Sequence, residues 1–371
     1  MHIKYPEYDK SLLSLTSSVL KHYGAESSHA SYPYIDDLLA RDYMNVVVML
    51  FDGLGTRILE KHLPEDNFLK KHFVESFSSV FPPTTTAATV SVESGLSPAE
   101  HGWLGWSIYF SQIDTTVSIF PNTISGSKGV QAADYHVARK FLPYKDIFTK
   151  IKEATDNKVQ AICVSPYSAY ESKTVNQICM TVNDLCHQPG KKYIYTYWPQ
   201  PDYDMHDKGT KHSRIRKCIE KINDEVEALC SSVENTLFVI TADHGLVDTD
   251  WLFISDYPDL CECLLRNPCI ETRALTFFIK AGKEESFEEL FNKYFGKFYL
   301  LMTKQQVKET HLFGKGKEHP LFDELMGDYL AIATGNISLD MTPNPNHPMF
   351  KAAHAGLTSD EMEIPLIVIK K

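Results

Sequence analysis

Apolar residues along this chain gather in short runs, and the stretches between the runs carry helical spacing. Val46–Phe51 (VVVMLF), Ser76–Phe81, Gln160–Val164, Tyr193–Trp198, Leu237–Ile240 (LFVI), Ala274–Ile279, Tyr329–Ala333 and Ile364–Ile369 read as strands. A run that is apolar at every position offers no face to water, so such a strand is buried on both sides, as in a parallel sheet. Thr86–Ser94, Lys145–Ala154, Ser168–Leu185 and His212–Leu229 read as helices, and Leu12, Leu13, Leu15, Val19 and Leu20 place another near the amino terminus. The alternation predicts an α/β fold, a mostly parallel central sheet with helices on both faces. From about Leu246 to Asn346 the pattern changes to higher charge and shorter elements. That stretch reads as a cap, residues 246–346, inserted between core segments 1–245 and 347–371.

Length and charge narrow the picture. The 371 residues accommodate one large α/β domain or a core with an inserted cap. A net charge of −11, from 37 basic and 48 acidic residues, argues against a surface for the nucleic-acid backbone. It leaves a small anionic substrate open, because bound divalent ions reverse the sign of the local field. The apolar runs fall far short of the ~20 residues that span a bilayer. The amino-terminal stretch lacks the apolar centre of a signal peptide. The 8 cysteines show no zinc-finger spacing. They read as reduced and structural, and the expected compartment is the cytoplasm.

Two strands end alike. Val46–Phe51 runs into Asp52-Gly53, and Leu237–Ile240 runs through Thr241-Ala242 into Asp243-His244-Gly245. Open α/β sheets place ligands at this carboxyl edge, and a carboxylate buried there needs a cation or donors. A single Asp before Gly reads as a turn residue; two, one of them joined to His, point to a metal site. Asp202 and His206 sit four apart after the strand-like Tyr193–Trp198, so on a helical turn they share a face, although Asp202 also suits a cap. Thr84-Thr85-Thr86 follows two prolines and opens a helix, where a hydroxyl lies among free N–H groups at the positive dipole end. One such threonine is an ordinary cap; a metal-bound one is a nucleophile near neutral pH. His354 precedes the last strand and supplies the third ligand that Asp202 and His206 lack, whereas His101 reads as structural or supporting.

Together, LFDGLG around Asp52, FPPTTTAATVSVESGL around Thr85, PDYDMH around Asp202 and His206, ADHG around Asp243 and His244, and HAGLTSDEMEIPL around His354 resemble the alkaline phosphatase superfamily. Within it they look like the type I phosphodiesterase/nucleotide pyrophosphatase family, whose motif order they follow along nearly the whole chain. The resemblance implies an alkaline-phosphatase-like three-layer α/β/α sandwich and two divalent ions, zinc or, as second choice, manganese. It implies that Asp52, Thr85, Asp243 and His244 hold one ion and Asp202, His206 and His354 the other. Thr85, by its spacing to Gly95 in the family's pattern, is then the nucleophile, and attack on phosphorus gives a covalent phosphothreonine that water hydrolyses. Two divalent ions outweigh three aspartates, which suits a small phosphorylated substrate, a nucleotide among the candidates.

The pattern departs in two places. Thr86 stands where the family carries a base-stacking Phe, and Trp106 where it carries a phosphate-holding Asn. Trp103, Trp106, Tyr109 and Tyr197 offer another aromatic wall or serve as packing. Nothing around Thr85 matches the motif a sulfatase matures, and no large domain of the phosphoglycerate mutase kind separates Thr85 from Asp202. A phosphomonoesterase of the same superfamily, and a non-catalytic metal-binding protein that kept the fold, stay as alternatives. The sequence sets no oligomeric state.

Overall fold

The computed structural model of the protein describes residues 2–343 and 349–371. The expected junction of the cap with the second core segment, 346/347, lies outside the described residues. The run Val46–Phe51 becomes the strand Asn45–Phe51, buried along its whole length. Among the described residues it lies inside a six-stranded sheet ordered Phe73–Ser78, Glu363–Lys370, Thr236–Thr241, Asn45–Phe51, Lys191–Trp198, Val159–Val164. Asn45–Phe51 runs parallel to both neighbours, with Leu50 beside Thr241 and Phe51 beside Trp198. Glu363–Lys370 runs against Thr236–Thr241 and Phe73–Ser78. The sheet is therefore mostly parallel, as its doubly buried runs require.

Two sets of helices cover it. Leu12–His22, Thr85–Ser94 and Ile147–Ala154 pack together, as do Thr56–His62, Val175–His187 and Ser213–Ser232. The expected three-layer α/β/α arrangement holds. Ser11 starts the first helix by accepting from the amides of Leu13 and Ser14, and Leu12, Leu13, Leu15, Val19 and Leu20 are all buried.

Two boundaries differ from expectation for local reasons. The helix expected from Ser168 begins at Val175, capped by the Thr174 hydroxyl. Upstream, Ser165 donates its amide to the Ser168 hydroxyl and accepts from the Ser172 amide, side-chain and loop bonds that compete with a helical ladder. The strand expected over Ser76–Phe81 is Phe73–Ser78. The chain leaves the sheet at Ser79, whose hydroxyl donates to the Asp243 carbonyl, and Phe81 is buried in a second apolar core.

That second core belongs to another sheet. Its order is Tyr299–Thr303, Tyr329–Ala333, Ala274–Phe277, Cys269–Ile270, Ser107–Phe110, Thr115–Ser118, Thr123–Ile124, all antiparallel. The runs read at Ala274–Ile279 and Tyr329–Ala333 are thus strands of this layer and not of the central sheet. Three of its strands come from 107–124, so two separate stretches of chain build the layer beside the core. Among the described residues, no helix is long and apolar enough to cross a membrane.

Candidate metal centre

Three adjacent parallel strands set three carboxylates on one edge. Asp52 follows Asn45–Phe51, Asp243 lies just past Thr236–Thr241, and Asp202 opens the helix Asp202–Lys208 after Lys191–Trp198. Main-chain bonds lock them: the Asp202 amide donates to the Asp52 carbonyl (3.0 Å), and the Gly53 amide donates to Asp243 Oδ1 (3.0 Å). Gly53 has φ +72°, and a Cβ there would lie 2.9 Å from the Asp202 Cβ. Both the left-handed turn and the close approach demand glycine, which keeps Asp52 and Asp202 next to each other.

The first group is Asp52, Asp243 and His244, with Thr85 against it. His244 Nε2 lies 3.3 Å from Asp52 Oδ1 and 3.6 Å from Asp243 Oδ2. Thr85 Oγ1 lies 3.3 Å from both Asp52 Oδ2 and His244 Nε2. Thr85 is the first residue of its helix, with Thr84 as the cap. The second group is Asp202, His206 and His354: His206 Nε2 lies 3.3 Å from Asp202 Oδ2, and His354 Nε2 lies 3.9 Å from Asp202 Oδ1. Ala352–Ala353 pairs with Val247–Asp248 and carries His354 in beside His244, where the two rings stack at 3.8 Å. All seven residues singled out in the sequence therefore come together, and both groups could hold a metal ion.

The imidazoles are already oriented for ligation. His206 Nδ1 bonds the Ala352 carbonyl (2.7 Å), His244 Nδ1 the Gly245 carbonyl (3.1 Å) and His354 Nδ1 the Pro83 carbonyl (3.2 Å). A carbonyl only accepts, so each Nδ1 carries a proton and each Nε2 is the nitrogen turned toward its group, a ligand atom wherever it is unprotonated.

The electrostatics call for a cation. Burial, then the Asp243 and Asp202 charges, push the Asp52 carboxyl well above its ordinary range. Burial raises Asp243 as well, against the opposing effect of His244. Burial would also raise Asp202, but the adjoining His206 outweighs it and holds that carboxyl low. Burial and then His244 keep the His354 imidazole well below its usual value. Asp202 Oδ1 and Asp243 Oδ2, one in each group, are buried without a hydrogen-bond partner among the described residues. Orphaned carboxylate oxygens beside inward-facing imidazole Nε2 atoms fit a divalent cation in each group.

The other candidates separate. His101 is buried, with Nδ1 accepting from the Trp103 amide and Nε2 donating to the Ser91 hydroxyl, a purely structural set of partners. Trp103 and Tyr109 belong to the second core, and Trp106 is exposed. Of the proposed aromatic wall, Tyr197 reaches the site and donates to Asp52 Oδ2.

Three further residues at the site escaped the sequence reading. Tyr167, 79% exposed, lies 6.3 Å from the Tyr197 ring; it follows the strand Val159–Val164, so the strand-end logic used for Asp52 would have reached it. Phe350 lies over His206 at 4.2 Å, and Glu271 accepts from the Thr84 hydroxyl (2.6 Å) and the Trp106 amide (2.8 Å). Burial pushes the Glu271 carboxyl up to about 7. Neither Phe350 nor Glu271 carried a sequence signal.

Solved structures share the fold. Murine ectonucleotide pyrophosphatase/phosphodiesterase 5, in an inactive form in complex with AMP, superposes with a TM-score of 0.63 at 16% identity, covering 86% of this chain and 87% of that one. The human protein of the same name gives 0.65 at 14%, covering 88% and 87%. Phosphonoacetate hydrolase from Sinorhizobium meliloti 1021, in complex with phosphonoformate, gives 0.64 at 15%, covering 87% and 89%. No curated protein matches the chain. The family model for type I phosphodiesterase/nucleotide pyrophosphatase matches residues 46–274, across the motifs of Asp52, Thr85, Asp202, His206, Asp243 and His244. The chain belongs to the type I phosphodiesterase/nucleotide pyrophosphatase family, hydrolases of phosphoric ester or anhydride bonds.

Proposed function

We propose that this enzyme is a phosphodiesterase of the nucleotide pyrophosphatase type that uses Thr85 as its nucleophile and two divalent ions, zinc or else manganese. Asp52, Thr85, Asp243 and His244 would hold one ion, and Asp202, His206 and His354 the other. The observation that carries this reading is the meeting of two carboxylate–imidazole groups at the stacked His244 and His354, with the Thr85 hydroxyl against one of them. When bound, the ions would neutralise charge on the phosphoryl oxygens and lower the pKa of the attacking hydroxyl.

The chain's own residues do the rest. The Thr85 hydroxyl donates to Asp52 and lies against His244 Nε2, so little orientational freedom is lost on the way to reaction. Thr85 opens its helix, and the free amides of that first turn favour an anionic group in front of it. Tyr197 donates to Asp52 and fixes the carboxylate's rotation. The exposed rings of Tyr167 and Phe350 beside the two groups suit a planar base or an apolar ester arm. A threonine-to-alanine form of the murine neighbour is described as inactive and in complex with AMP, which supports both a threonine nucleophile and a nucleotide substrate.

The test is release of p-nitrophenol by metal-stripped enzyme reloaded with zinc or manganese. Bis-p-nitrophenyl phosphate should turn over faster than p-nitrophenyl phosphate. A strong preference for the monoester would replace the diesterase reading with a phosphomonoesterase, and no turnover of either would overturn both.

A further inference from the structure

We infer that Arg273 and Glu361 are positioning residues that hold His354 in place, an inference that rests on the proposed metal-binding role of the Asp202–His206–His354 group. Neither side chain touches that group. Both are completely buried, and the guanidinium grips the carboxylate with two bonds, Nε to Oε1 at 2.6 Å and an Nη to Oε2 at 2.8 Å. The fork matches the carboxylate in plane and spacing, which an ammonium would not do. Two further N–H groups of Arg273 go to the carbonyls of Gly335 and Ile337, so four of its five donors are paired.

What the pair holds is the His354 loop. Glu361 Oε1 accepts the Gly356 amide at 2.8 Å, and Oε2 accepts the Thr358 hydroxyl at 2.6 Å. Between His354 and Gly356 lies Ala355 at φ +93°, a left-handed conformation that alanine rarely adopts and that its surroundings must enforce. A Cβ on Gly356 would lie 2.9 Å from Glu361 Oε2 and 3.0 Å from an Arg273 Nη, so the loop sits directly on the pair. The Glu361 carbonyl also accepts the Gly245 amide (2.8 Å), next to His244. Arg273 itself stands at the start of the strand Ala274–Phe277, so the second sheet braces the ligand loop of the first layer.

The same contacts could serve folding alone, so the readout is metal affinity in folded protein. Chelated wild type, Glu361→Gln, Arg273→Lys and His354→Ala are checked for folding by circular dichroism, then titrated with zinc by calorimetry. Wild type should bind two ions. Glu361→Gln and Arg273→Lys should lose about 10–100-fold in affinity for one ion, the one His354→Ala removes, and keep the other as in wild type. Folded variants with the wild-type binding curve overturn the positioning role while leaving the metal site intact. Should both variants fail to fold, Thr358→Val decides. It leaves the ion pair whole, should weaken the same ion, and overturns the role if binding is unchanged. Absence of zinc binding by wild type overturns the metal reading and this inference with it.

Discussion

The two candidate ligand groups touch through a stacked pair of imidazoles but stand on different foundations. Asp52, Asp243 and His244 project from the ends of neighbouring parallel strands, and their side chains are 4%, 0% and 0% exposed. Asp202, His206 and His354 come from one helical turn and a loop, with side-chain exposures of 12%, 17% and 10%. The first group has two buried carboxylates and one imidazole, the second one carboxylate and two imidazoles. Without metal the first is therefore strained chiefly by the burial of its carboxylates and next by repulsion from neighbouring aspartates, whereas in the second His206 outweighs the burial of Asp202. Rigid, anion-rich donors favour tight retention of a cation. A less charged, somewhat more exposed set holds its cation less tightly.

The largest effect should come from separating the proposed nucleophile from the proposed ligands. Thr85→Ala is expected to lower turnover of bis-p-nitrophenyl phosphate by about 10⁴-fold or more while zinc content, by elemental analysis, stays largely intact. Retained activity would remove Thr85 from its role. Next in size, Asp243→Asn and His354→Ala should each weaken one ion by at least about 100-fold and leave the other bound. Loss of both ions from His354→Ala would break the distinction between the groups.

A third test reads the electrostatic contrast in chelated protein. Asp52, raised by burial and by Asp243 and Asp202, contributes stability that is full below its unfolded value near 3.8 and is lost as pH rises through its higher folded value. For Asp202, burial is outweighed by His206, so its contribution is present above 3.8 and lost as pH falls through its lower folded value. At pH 7 chelated Asp52→Asn should therefore melt about 2 °C or more above wild type, and chelated Asp202→Asn below it. Shifts of the same sign would show that the two groups do not differ in this way. The smallest effect concerns the rim: Tyr167→Ala should raise KM for a nucleotide ester about 3- to 10-fold with kcat little changed, by loss of one stacking face. An unchanged KM would place the base elsewhere.

Much of the core of this site is legible in the sequence. Asp52 and Asp243 stood out because doubly buried strands leave uninterrupted apolar runs, and the residue after such a run has its position dictated by the sheet. Asp202 and His206 were legible through helical spacing, and His354 through its place before the last strand. Sheet membership was not. Ala274–Ile279 and Tyr329–Ala333 are as apolar as the core strands although they fall in the stretch read as a cap, and only hydrogen bonding across long sequence gaps assigns them to the second sheet. The strands at Ser107–Phe110 and Thr115–Ser118 are short and carry polar residues, so no periodicity announces them. Glu271 and Arg273 read as ordinary charges of a polar segment. Their partners, Thr84 and Glu361, lie far off in the chain, and an interaction over such separation leaves no local trace.

The carbonyls of Gly245, Ala352 and Pro83 have a consequence for anyone moving this chemistry to another protein. They belong to the main chain, which every residue shares, so drift among neighbouring side chains leaves each imidazole's tautomer untouched. The same fact makes the centre hard to graft. Seven side chains copied onto a foreign scaffold would arrive without the peptide groups that aim three of them, and the transplant would succeed only where the new backbone happens to offer acceptors at the same points.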